Sequence, residues 1–286
     1  MPTIVSLVLV TATLLVCRRY GVRSIIPFAA IPALIYVSGI YEEPILQLMA
    51  AAPFIGLLAA YQIERDKPYG QVIAAAAVPG FLMAIPVLLD LLAGTGQDQG
   101  FAEQVSSQLE AAGLNVMDEE YGAEAKQLTV QILHLQHRLQ PAVLVVSALL
   151  TAVLGYRLAW SVAPKLGTTL PQAPFVHLWR VWDWLIWALV GAAAAALLGT
   201  AAIRDLAFNV MFVIALLYGV QGFALARYFA KRMSVPVYLE LLFYGSLMLS
   251  PGLGILVITG AGLMETWFDW RRLSHRQEPV EEESQH

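Results

Sequence analysis

Long apolar runs, broken at intervals by short charged clusters, set the pattern of this chain. Uncharged stretches cover residues 1–17, 24–41, 44–63, 68–89, 139–156, 184–203 and 206–226. A helix that crosses the hydrocarbon core needs roughly 20 mostly apolar residues, with a range of about 17–25. A charge near the centre of such a helix costs several kcal/mol, so each uncharged stretch predicts one crossing. The next apolar region, 233–264, holds the single charge Glu240 and is 32 residues long, more than one ordinary span requires. Pro251-Gly252-Leu253-Gly254 near its middle signals a break. Two readings follow for it: two short segments, about 235–250 and 253–268, forming a hairpin or re-entrant pair, or one tilted helix from about 241 to 264 kinked at Pro251.

The predicted fold is therefore all-α, a polytopic transmembrane helix bundle of about 8–9 membrane segments with a small extracytoplasmic helical insertion. The spans fall at about 3–19, 24–40, 45–63, 70–91, 139–158, 183–202, 206–227, 235–250 and 253–268 of a single integral membrane domain, 1–286. Residues 94–138 form an outer amphipathic helical loop, and 273–286 a flexible cytoplasmic tail. In that loop Phe101, Val105 and Leu109 recur at four-residue steps, and Leu128, Ile132, Leu135 and Leu139 recur with helical spacing. Two surface or capping helices are the simpler reading, and a lid over an outward-facing cavity is the functional one. The loop carries seven acids (Asp98, Glu103, Glu110, Asp118, Glu119, Glu120 and Glu124) against two bases.

Composition narrows the class further. Apolar residues make up 58% of the 286, charged residues only 13%, and mean hydropathy is +0.66. A soluble domain carries about 25% charged residues, so a water-facing surface is excluded for most of this chain. The formal charge of −4 gives no basic excess for nucleic acid. The single Cys17 rules out an internal disulfide and a cysteine-cluster metal site. The start has neither a basic n-region nor a small-residue cleavage site, so it does not read as a signal peptide. It reads either as a short first helix or as a chain whose natural start lies upstream.

Orientation follows from Lys and Arg, which accumulate in cytoplasmic loops. With the N-terminus outside, inner loops hold Arg18, Arg19, Arg23, Arg65, Lys67, Arg157, Lys165, Arg180, Arg227, Lys231 and Arg232. Outer ones hold only Lys126, Arg138 and Arg204. Arg271 and Arg272 then place the C-terminus in the cytoplasm, which favours two crossings after Arg232. All seven Trp fall near cytoplasmic span ends in this arrangement, where indoles prefer the headgroup layer.

Candidate chemistry is sparse. His134-x-x-His137 lacks an obvious third ligand, so no metal is expected. No G-x-S-x-G, HExxH or phosphate-loop motif occurs, and the chain is not expected to be an enzyme or to carry a cofactor. Small residues repeat at Gly191, Ala195 and Gly199, at Ala52, Gly56 and Ala60, and at Ala29 and Ala33. Such ladders serve internal packing or the docking of a membrane partner. Asn209, Tyr218 and Gln221 are the intramembrane polar residues and the candidate substrate-binding set; internal hydrogen bonding is the simpler role. Tyr218 and Gln221 share a helix face, whereas Asn209 points elsewhere. Asp90 and Glu240 sit near span ends, and prolines at 27, 32, 53, 79 and 86 interrupt the first bundle. Trp179, Arg180, Trp182, Asp183 and Trp184 are the candidate partner interface. Their simpler reading is an interfacial helix start with indole anchors and an Arg180–Asp183 pair on one helix face.

The stretch Leu178-Trp-Arg-Val-Trp-Asp-Trp-Leu-Ile-Trp187 resembles a hallmark of the YybS-like family of bacterial predicted membrane proteins (domain of unknown function 2232). Asn209 through Tyr218-Gly-Val-Gln221-Gly222, and Gly262-Leu-Met-Glu-Thr-Trp-Phe268-Asp269-Trp-Arg271-Arg272, resemble two further patterns of that family. Glu265 stands where the family commonly has Asp. Members often begin with an extra helix, and the family has no assigned activity. Its layout is distantly similar to the substrate-binding S components of energy-coupling-factor vitamin transporters. Two functions are thus expected of a bacterial inner-membrane protein: a small-molecule binding or uptake component resembling an S component, or a scaffold or assembly factor. The expected partners are the lipid bilayer, a membrane protein and a small-molecule ligand, with no nucleic acid.

Overall fold

A computed structural model describes residues 2–24, 44–93, 119–171, 179–249 and 251–271. Among them all regular structure is helical. The α-helices are α1 (Pro2–Tyr20), α2 (Pro44–Glu64), α3 (Tyr69–Ala93), α4 (Glu119–Val162), α5 (Leu185–Leu198), α6 (Ala201–Arg232), α7 (Val237–Leu249) and α8 (Pro251–Phe268). Short 3-10 turns follow α1 and α4. The predicted span 24–40, the Phe101–Leu109 stretch and the tail 273–286 lie outside the described residues.

Three described helices are long and apolar enough to cross a membrane: Tyr69–Leu89, Gln127–Leu166 and Ala201–Arg232. A fourth crossing results if α7 and α8, bent by 114° at their junction, count as one broken span. The chain ends α7 at Leu249 and starts α8 at Pro251, so the break falls where the Pro-Gly pair predicts it. At 13 residues, α7 reaches only about 20 Å.

The chain divides into two compact units, Met1–Ala173 with Ala193–Val213, and Pro174–Ala192 with Ile214–His286. In the first unit, small residues set how closely helices approach. A Cβ added at Gly56 would lie 2.8 Å from the Thr13 side chain, and one at Gly80 would lie 2.3 Å from Ala148. Ala52 and Ala60, on the Gly56 ladder, are buried. That ladder is used inside the chain, as is common where helix backbones pack closely in lipid.

These contacts also fix helix directions. Thr13 meets Gly56, Cys17 packs with Ala60, and the Val22 N–H donates to Glu64, so α1 and α2 run parallel. Val10 meets Gly155, and the Arg18 Nε donates to the Thr169 carbonyl, so α4 runs the same way. Tyr69 packs edge-on against Tyr156 while Gly80 meets Ala148, so α3 is antiparallel to α4. Around this frame Val10, Leu14, Ile55, Ala76, Ala148, Ala152 and Tyr156 form the core.

Two turns share one design. Asp66 (φ 54°) and Ser234 (φ 52°) both close a helix in the left-handed region. Lys67 N–H then donates to the Gln62 carbonyl, and Val235 N–H to that of Ala230. Each is a Schellman-type closure, and each is followed two residues later by a proline that starts the next helix, Pro68 or Pro236.

The structure departs from the sequence reading in three places. No helix end marks the expected passage from the outer loop to the span at 139, because α4 runs unbroken for 44 residues through Pro141, about 66 Å, and carries both stretches. Hydropathy changes there, but nothing terminates the helix. Over the span predicted at 183–202 the helix itself is shorter, since α5 covers only Leu185–Leu198. Gly199 and Thr200 end it, which puts Arg204 and Asp205 inside α6 instead of in a loop. Charges mark where a chain leaves the membrane; glycine and capping residues mark where a helix stops. Finally, residues 179–184 are not helical, so the Arg180–Asp183 pair forms (2.8 Å) across a turn and not along a helix face.

Candidate functional site

In the first unit, α6 brings Asp205 and Asn209 against α4 one turn apart. The Asn209 Nδ2 donates to the carbonyls of Arg138 (2.7 Å) and Asp205 (2.9 Å), and its Oδ1 accepts from the Ala142 N–H (2.9 Å). In an unperturbed α-helix the Ala142 N–H and the Arg138 C=O would bond to each other. The carboxamide of Asn209 therefore bridges both halves of one helical rung, next to Pro141, which has no N–H to give. Arg138 reaches back through Nε to Asp205 Oδ1 (2.7 Å), and its Nη2 contacts the same oxygen. Asp205 is nearly buried. An ion pair and an amide thus lock α6 onto α4.

In the second unit Gln221 plays the corresponding part with different partners. It is fully buried. Its Oε1 accepts from the Val181 N–H (2.8 Å), and its Nε2 donates to the Gly262 carbonyl (2.8 Å). One side chain on α6 thereby holds the irregular 179–184 segment and α8. Close packing makes this possible. A Cβ at Gly262 would sit 2.0 Å from the Tyr218 carbonyl oxygen, and one at Gly222 would sit 1.9 Å from that of Ile258. Tyr218 is buried in a cluster with Val181, Leu185 and Ile214, flanked by Trp179.

Charge reinforces the same corner. Arg180 lies between Asp183 (2.8 Å) and Asp269 (3.4 Å). Glu265 and Arg271 form a fully buried pair at 2.6 Å. Arg227 pairs with Glu240, the one charge in the long apolar region, and Tyr244 donates to the same carboxylate. Outside this framework the indoles point away: Trp182 is 63% exposed, Trp184 61% and Asp183 68%. Trp182 and Trp184 stack at 6.4 Å with their planes 16° apart. Phe268 and Trp270 stack likewise at 5.6 Å.

A model of the family described as predicted membrane protein (DUF2232) matches residues 1–266. The chain belongs to that family. No curated protein and no solved structure matches it. Family membership and the apolar helices agree, and the chain is a helical membrane protein.

The predicted residues of this family member separate by role. Asn209 lies in one unit, and Tyr218 and Gln221 in the other. Both amides are engaged with backbone groups. Of the predicted interface, Trp179 and Arg180 turn partly inward, while Trp182, Asp183 and Trp184 face out. Among the described residues no group of three or more His, Cys, Asp or Glu is placed to hold a metal ion. Sequence reasoning missed Asp205, which reads as a loop charge until the helix start at Ala201 is known. It also missed Asp269 as the second carboxylate on Arg180, and the buried Glu265–Arg271 pair. The Asp205-x-x-x-Asn209 spacing was the available signal for the first; nothing in the sequence pairs the others.

Proposed function

We propose that this chain is a non-catalytic binding component of the bacterial cytoplasmic membrane, a scaffold or assembly factor that holds a protein partner on the face around Trp182 and Trp184. The observation that carries the reading is the pinning of residues 179–184. This segment has no helix to stiffen it, yet Gln221 holds its backbone, Asp269 holds Arg180 and the core holds Trp179. The outcome is a fixed surface of stacked indoles beside an exposed carboxylate. Rigid aromatic side chains of this kind anchor interfaces because little side-chain entropy is lost on binding. A matching partner presents an apolar face with a cation beside it.

A small-molecule role like that of the S components needs polar groups free to meet a ligand. Asn209 and Gln221 instead give both ends of their amides to backbone atoms. We further propose the topology of about 8–9 membrane segments, with the N-terminus outside and the C-terminus in the cytoplasm. The parallel run of α1, α2 and α4 against α3 supports it, because alternating crossings produce that pattern. The repeat of one turn design at Asp66 and Ser234, both beside Lys or Arg, supports it as well.

The test is photo-crosslinking in bacterial membranes with benzoylphenylalanine placed at Trp182, at Trp184 and, as a lipid-facing control, at Leu197. The expected result is one discrete protein adduct from 182 and 184, absent from 197 and lost when Arg180→Ala is added. The same adducts at 197, or insensitivity to Arg180→Ala, would overturn the proposal.

A further inference from the structure

We infer that one end of the first unit is a binding surface for anionic phospholipid. The last turns of α1, α2 and α4 and the first turn of α3 gather at this end. They are tied by the Arg18–Thr169 and Val22–Glu64 hydrogen bonds and the Tyr69–Tyr156 ring pair. Arg19, Arg23, Arg65, Lys67 and Lys165 are exposed there, with Arg18 and Arg157 beside them. The acids among these turns are Glu64 and Asp66, and Glu64 already accepts from the Val22 N–H. Seven cations against two acids give a local charge of +5 on a chain whose net charge is −4.

Two features select a phospholipid over a soluble polyanion. Exposed apolar side chains lie on the same helices within one turn of the cations: Val16 on α1, and Leu158 and Trp160 on α4. An acyl chain can follow the helix while its phosphate meets a guanidinium or ammonium. Aromatic rings share the level of the charges, with Arg65 stacked 4.4 Å over Tyr61 and Arg19 5.7 Å over Tyr20. Rings and cations at one depth are the mark of the headgroup layer.

Each Lys or Arg near an anionic membrane surface favours binding by about fivefold, and salt screens the effect. The inference needs only the membrane placement, and stands apart from the partner proposed above. Its test is native mass spectrometry of the full-length protein in neutral detergent, offered equal amounts of phosphatidylglycerol and phosphatidylcholine. The expected result is about tenfold preferential retention of phosphatidylglycerol. That preference collapses in an Arg19→Gln, Arg23→Gln, Arg65→Gln, Lys67→Gln variant, persists in an Arg19→Lys, Arg23→Lys, Arg65→Lys variant, and shrinks when exchange is done in about 1 M salt. Inorganic phosphate at the same concentration leaves the retained lipid in place. Equal retention of the two lipids, an undiminished preference in the glutamine variant, or displacement by phosphate would overturn it. If the glutamine variant does not fold, the salt series on the unaltered protein decides, and a preference indifferent to salt counts against the surface.

Discussion

Gly262→Ala is expected to destabilise the second unit more than any other single added methyl group at a described glycine outside Gly222. The new Cβ would lie 2.0 Å from the Tyr218 carbonyl oxygen and 2.7 Å from the Gly222 nitrogen. Both neighbours are backbone, so no side chain can rotate away, and α8 must move off α6. Overpacking of this kind costs about 1–3 kcal/mol, occasionally more. Here the separation also stretches the bond from Gln221 Nε2 to the Gly262 carbonyl, so about 3 kcal/mol or more is expected. Gly191→Ala supplies the contrast. Nothing lies within 4 Å of a Cβ there, and alanine is the better helix former by about 1 kcal/mol. Thermal unfolding in detergent should show a lowered midpoint for Gly262→Ala and an unchanged or raised one for Gly191→Ala. Equal midpoints for the two variants would mean that α6 and α8 do not cross at their glycines.

Gln221→Leu should cost nearly as much, for a different reason. Leucine suits an apolar bundle, yet its introduction leaves the Val181 N–H and the Gly262 C=O buried without their partner. These groups sit on separate segments and were joined only through the carboxamide. An orphaned buried polar group costs about 1–3 kcal/mol. Interhelical side-chain bonds in membranes are worth less, with a mean of about 0.6 kcal/mol, so about 2–4 kcal/mol is expected in total. Asn209→Leu makes the comparison informative. Its two main backbone partners, the Ala142 N–H and the Arg138 C=O, are the two groups of one helical rung, so each has the other as a partner without the amide. The expected loss is about 1 kcal/mol or less. Fluorescence of the indoles near residue 181 should shift in Gln221→Leu as the 179–184 segment loosens, and should stay unchanged in Asn209→Leu. A greater loss of stability from Asn209→Leu than from Gln221→Leu would contradict this assignment.

That the chain is a helical membrane protein was legible from its long charge-free runs, because burying a charge in hydrocarbon is costly enough to leave a plain trace in the sequence. The break before Pro251 was legible for a similar reason, since proline and glycine act on their own backbone. Helix ends elsewhere were not. α4 passes through the polar–apolar boundary at 138 without a stop, and Gly199-Thr200 ends α5 before the charges at 204 and 205 arrive. The candidate site divides along the same line. Asn209, Tyr218 and Gln221 stood out as polar residues in apolar runs, and each is buried. Their partners did not stand out, because the Val181 N–H, the Gly262 C=O and the Ala142 N–H are backbone groups that every residue type carries. Arg180 and Asp183 were paired by spacing alone; Asp269, 86 residues beyond Asp183 in the sequence, came to Arg180 only through the packing of α8 on α6.

The central claim is that this polypeptide threads the bilayer repeatedly, with its Lys- and Arg-rich turns on one face. Membrane-impermeant maleimide labelling of single cysteines in a Cys17→Ser background tests it most directly, using Asp66→Cys, Ser234→Cys and Gln131→Cys in sealed inverted vesicles and in intact cells. Asp66→Cys and Ser234→Cys are expected to react only in the inverted vesicles and Gln131→Cys only in the cells. Reaction of all three from the same side would contradict it.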